Sequence, residues 1–168
     1  MIIANPTSGK VSLVHGNKEV STVMFSQHGT RNSVQVLEDE EWAKSRNLQR
    51  FLQKGTLVKL DQLIEYPEEP ESYNELPKWD RNRVRKIVLG TEDEYKSSAL
   101  FTPYSNSARM PEQVDVPYIR TRLIPVLQCA SSWLDALWKA TGEKQYKARR
   151  DDINKRVPEL KEIASENA

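Results

Sequence analysis

The chain has one cysteine, two histidines and six glycines in 168 residues, and each scarcity removes a class of chemistry. A lone thiol, Cys129, cannot form an intrachain disulfide and fits a reducing compartment. His15, His28 and Cys129 are too few and too scattered for a zinc spacing, so no metal site is expected. The glycines are dispersed singly, without a phosphate-cradling loop, so no nucleotide cofactor is expected either. No apolar run approaches the roughly eighteen residues of a membrane span. The opening Met1-Ile2-Ile3-Ala4-Asn5-Pro6 lacks the basic and long apolar regions of a signal peptide. Twenty-five basic side chains face 24 acidic ones, and a net charge of +1 exerts no global pull on nucleic acid or an anionic membrane.

What is present can build a core of modest size: 38% of residues are apolar and 29% charged. Residues 1–60 read as a β-rich module. Val11–Val14, Glu19–Phe25 and Ser33–Leu37 carry strand patterns, separated by His15-Gly16-Asn17 and Gln27–Asn32 as turns. Short strands joined by short turns predict antiparallel neighbours. Asp39 to Glu41 suit a helix start. Trp42 lies off the stripe shared by Leu48, Phe51 and Leu52, which predicts a first turn over 39–44, a break at 45–47 and a second helix to Lys54. Gly55 is placed to end that helix in a left-handed conformation, and residues 56–60 resume the strand pattern.

Residues 61–76 carry six acidic side chains and no basic one, with Pro67 and Pro70 opposing a regular helix; they read as an extended acidic arm. Residues 78–88 carry five positive charges against one negative. The proline-dotted stretch 101–117 reads as a surface wrap. From Ile119, the spacing of Leu123, Val126, Ala130, Trp133 and Leu137 predicts a helix, with Leu127, Leu134 and Trp138 widening its stripe. Pro117 suits its first turn and Pro125 predicts a kink. Thr141-Gly142 stops it. A second helix from Glu143 aligns Tyr146, Ile153, Val157, Leu160 and Ala164, with a bend or restart at Pro158. The expected fold is therefore α+β: a docking module at 1–60, an arm and wrapping segment at 61–117, and a helical hairpin at 118–168.

No catalytic residue stands out. Cys129 sits in a leucine- and tryptophan-rich helix and reads as an inert thiol. Asp151-Asp152 beside Arg149-Arg150 reads as a salt-linked polar face. Attention falls instead on contact. Trp133 and Trp138 stand about 140° apart around one helix at 3.6 residues per turn. An apolar arc that wide, including Leu127 and Leu134, predicts cover by a neighbouring chain as well as by the hairpin partner. Arg81, Arg83 and Arg85, with Trp79 beside them, have two readings. They meet acidic residues such as Glu68 and Glu69, in this chain or in adjacent copies, or else they meet nucleic-acid phosphates. The carboxylate reading is favoured.

The segment Val34 to Leu60 resembles a small module of accessory structural proteins of tailed bacteriophages, including Mu-like prophages. The resemblance is carried by Val36, Asp39 to Glu41, Trp42, Leu48, Phe51, Leu52, Gly55 and Leu57. It implies a non-enzymatic virion component: a head decoration, head–tail joining or tail accessory protein, assembled in the cytoplasm of a bacterial host. Its partners would be other virion proteins and further copies of itself. The alternative is a cytoplasmic nucleic-acid-binding or regulatory protein using residues 78–88.

Overall fold

A computed structural model describes residues 1–15, 22–38, 40–96 and 114–168. The chain is α+β and divides into two units, Met1–Glu68 and Glu69–Ala168, in place of the expected divisions at 60 and 117.

Among its described residues, the first unit holds five strands: β1 (Ile2–Ala4), β2 (Val11–Val14), β3 (Thr22–Phe25), β4 (Val34–Val36) and β5 (Val58–Leu60). As expected, β2 and β3 pair antiparallel, Val11 opposite Phe25 and Val14 opposite Thr22. β4 does not extend that hairpin. It pairs with β1, which also pairs with β5, giving the order β4-β1-β5. The Ile2–Ala4 segment, which the sequence pattern did not single out as a strand, is the middle of this sheet. Three residues are too short for any alternation to register, and the strand is specified by its partners: Ile3 lies opposite Gln35 on one side and Lys59 on the other.

The helical insertion follows its local signals. Glu40–Lys44 form a 3₁₀ turn that buries Trp42. Ser45 then caps α1 (Arg46–Lys54), its hydroxyl accepting from the Leu48 amide, and Gly55 ends the helix at φ 75°. Ile3, Val11, Leu13, Phe25, Leu37, Trp42, Leu48 and Leu57 form one buried core.

The second unit is helical: α2 (Glu71–Glu75), α3 (Lys78–Leu89), α4 (Glu92–Lys96), α5 (Val116–Tyr118), α6 (Ile124–Thr141) and α7 (Lys144–Glu166). Three of these lie where an extended arm was expected. Pro70 and Pro77, each just before a helix, are the N-cap residues of α2 and α3. A proline there loses no helical hydrogen bond, because the first amides of a helix have no acceptor. The wrapping reading of 101–117 falls almost wholly outside the described residues.

Between α5 and α6, Ile119–Leu123 form a π turn, in which the Ile124 amide reaches Ile119 O. Pro125 supplies no amide and would crowd the carbonyl four residues before it, and the wider turn absorbs that defect. Gly142 ends α6 at φ 70°. α7 runs unbroken through Pro158 instead of restarting there. Asn154, whose carbonyl loses its usual amide partner, is exposed, so water can replace that bond. Tyr146, Ile153, Val157, Leu160 and Ala164 are all buried along α7.

Candidate functional site

The residues expected to meet a neighbouring chain are mostly interior. Leu127 and Leu134 are fully enclosed, Trp133 is 1% exposed and Trp138 is half-buried. The missing cover comes from within the unit. Tyr73 on α2 stands edge-on to Trp133 at 5.5 Å between ring centroids, while α3 and α7 pack along α6. The intermolecular surface proposed for Leu127, Trp133 and Leu134 is thereby overturned. Lys147 of α7 lies 6.0 Å from the centre of the Trp138 ring. Cys129 is also buried, and its burial pushes the thiol's pKa up, against a smaller opposing effect of a hydrogen bond with Ser72.

The basic segment is a helix, so its arginines do not share a face. Residues two apart are separated by about 200° around a helix. Arg83 turns inward: Nη1 lies 3.4 Å from Asp80, and Nη2 donates to the Tyr118 hydroxyl. Asp80, 1% exposed, also accepts from Arg122 at 3.0 Å. Both guanidiniums flank the Tyr118 ring, at 5.4 and 5.7 Å. The hydrogen bond to Asp80 raises the Arg122 pKa, outweighing the lowering by burial. Arg85 sits 3.6 Å from Glu69, and Glu68 sits 2.6 Å from Arg31. Carboxylate partners thus engage Arg83 and Arg85 inside the chain. Arg81 is half-buried, with its Nε unpartnered.

A second polar cluster was not anticipated. Arg149, 2% exposed, occupies the stripe of α7 between Tyr146 and Ile153. Its Nη1 donates to the carbonyls of Ile87, Val88 and Gly90 at 3.1, 3.4 and 3.0 Å. These groups lie at the C-terminal end of α3, where carbonyls lack amide partners and the dipole favours a cation. Nη2 contacts Glu92 at 3.3 Å, and the guanidinium lies 4.6 Å from the Tyr95 ring centre. The signal was present in the sequence: an arginine at a core position of an otherwise apolar stripe.

Tyr95 donates to Asp152 at 3.0 Å. Burial, then this hydrogen bond, drives the phenol pKa upward, so the hydroxyl remains protonated. Beside it, Lys96, Lys155, Arg156 and Glu159 complete a groove of about 390 Å³.

The histidines are engaged in packing. His15 Nε2 lies 3.0 Å from Glu41 O, and its ring is 5.4 Å from Trp42; the His28 ring stands 5.7 Å from Tyr66. Among the described residues, no group of three or more His, Cys, Asp or Glu could hold a metal ion, and no helix is long and apolar enough to cross a membrane.

Among the described residues, the exposed large apolar side chains are Val14 (43%), Met24 (54%) and Val36 (47%) on strands, Leu63 (50%) after β5, and Trp79 (70%) on α3. Comparisons with protein-family models, with curated proteins and with solved structures found no match.

Proposed function

We propose that this protein is a non-enzymatic structural component of a tailed-phage particle, working through contacts between subunits. The observation that carries the contact reading is the outer face of the β2–β3 hairpin. Val11, Leu13 and Phe25 point into the core, whereas Val14 and Met24 project the other way and stay exposed. The register makes Val14 and Met24 diagonal cross-strand neighbours, within reach of one another at about 7–8 Å or less. Two adjacent apolar side chains on an outward face form a patch that gains from cover by a partner. The phage assignment draws on the resemblance of residues 34–60. Of the positions that carry that resemblance, Trp42, Leu48 and Leu57 are core residues and Gly55 ends the helix.

The test is co-sedimentation of the purified chain with tailed-phage particles assembled without it. Saturable binding at a fixed copy number is expected, weakened at least tenfold by Met24→Asp, with the melting temperature unchanged. Failure to bind heads, necks or tails would overturn the phage reading. Equal binding by the variant would overturn the role of this face.

A further inference from the structure

We propose that the Trp79 face of α3 docks the acidic, leucine-bearing segment 61–65 of a second copy of this chain. Among the described residues, Trp79 is the most exposed of the large apolar side chains, at 70%. It is held on a fixed support, because the opposite face of α3 buries Asp80, Val84, Ile87, Val88 and Leu89. Lys78, Asn82 and Lys86 are exposed around it. Among the described residues neither lysine is consumed by an ion pair, in contrast with Arg83 and Arg85.

The occupant must bring carboxylates and an apolar group, and segment 61–65 carries both. Leu63 is 50% exposed, and Asp61 and Glu65 on either side are also exposed and make no ion pair among the described residues. The dimensions agree. Lys78 and Lys86 are separated by about 12 Å along a helix rising about 1.5 Å per residue, and five residues drawn out span about 13 Å between their ends. Leu63 would cover the indole while Asp61 and Glu65 meet the lysines. A like-on-like pairing of two Trp79 faces is disfavoured, since it would oppose lysine to lysine. A contact between two different surfaces either closes reciprocally into a two-fold dimer or repeats head-to-tail into a ring or filament.

This inference rests on the contact-making reading above, but its test uses the purified chain alone, so either can fail without the other. Sedimentation velocity over a concentration series should show self-association to a dimer or larger species. That association should weaken between about 0.1 M and about 1 M salt, as the screening length falls from about 10 to about 3 Å. Trp79→Ala and Leu63→Ser should each weaken it at least about tenfold, as truncated interface anchors do; circular dichroism verifies that both variants fold. A mixture of the two variants should form a complex of two chains and stop there, because only one complementary pair of surfaces survives. A monomeric wild-type chain overturns the proposal, as does a variant that associates like wild type. So does a mixture that forms no complex while wild type associates. Saturable quenching of a monomeric wild-type chain by oligothymidylate, lost in Trp79→Ala, would assign the face to nucleic acid and overturn the proposal equally.

Discussion

Replacing Arg149 with methionine should destabilise the second unit far more than removing its visible ion-pair partner. The guanidinium accommodates three carbonyls at the end of α3, from Ile87, Val88 and Gly90. Methionine fills similar space but donates nothing. Each buried acceptor left unsatisfied costs about 1–3 kcal/mol, and losing a cation at a partly buried helix C-terminus costs up to about 2 kcal/mol. Relief from burying a charge offsets part of this, since replacement of a buried ion by an apolar isostere returns about 1–4 kcal/mol. Over three acceptors, the middle of these ranges gives a net loss of about 4–5 kcal/mol. Arg149→Lys keeps the charge but not the fork and should fall between. Glu92→Gln should cost at most about 1 kcal/mol, because the Glu92 side chain is 56% exposed and its pairing is screened. The assay is urea unfolding followed by far-ultraviolet circular dichroism, a signal dominated by the helices of the second unit. If Arg149→Met unfolds at the wild-type urea midpoint, or if Glu92→Gln costs as much, then the carbonyls are not what Arg149 is there to satisfy.

Three further outcomes follow from the same packing. Gly90→Ala would place a Cβ 2.3 Å from the Lys86 carbonyl oxygen, so the chain must shift there; a loss of about 1–3 kcal/mol is expected in the same urea assay. Cys129 is 2% exposed with its thiol pKa raised by burial, so a disulfide reagent should label it only as fast as the second unit opens, and immediate labelling would contradict its enclosure. Hydrogen bonds from Lys139 and then Arg150 hold the Asp135 carboxyl below its ordinary range. Its contribution to stability is therefore present above the ordinary carboxylate pKa and is lost as pH falls through the lowered one. Carboxyl chemical shifts followed by NMR should show Asp135 titrating late on acidification, and Asp135→Asn should remove that part of the acid sensitivity.

The local features of this protein were legible because each depends on a few consecutive residues. Gly55 after Lys54 and Gly142 after Thr141 marked helix ends that the fold uses, and the 3,4 spacing from Ile119 to Leu137 identified a buried helical face, whereas the break read over 45–47 narrows to Ser45. The amino-acid order by itself therefore determined the α+β class, the helical hairpin and most core positions. It also held a trace of the Arg149 cluster, as a cation set in an apolar stripe. What it left open was which residues cover which. Trp133 looked like surplus apolar surface only because Tyr73 and α3 were read as parts of an extended arm. β1 became a central strand only when β4 and β5 closed on it from both sides. Arg149 found its carbonyls on a helix some sixty positions away in the chain. Burial and pairing at such separations are properties of the packed chain, since a side chain is removed from water only by whatever tertiary folding brings against it, and the local pattern cannot name that neighbour.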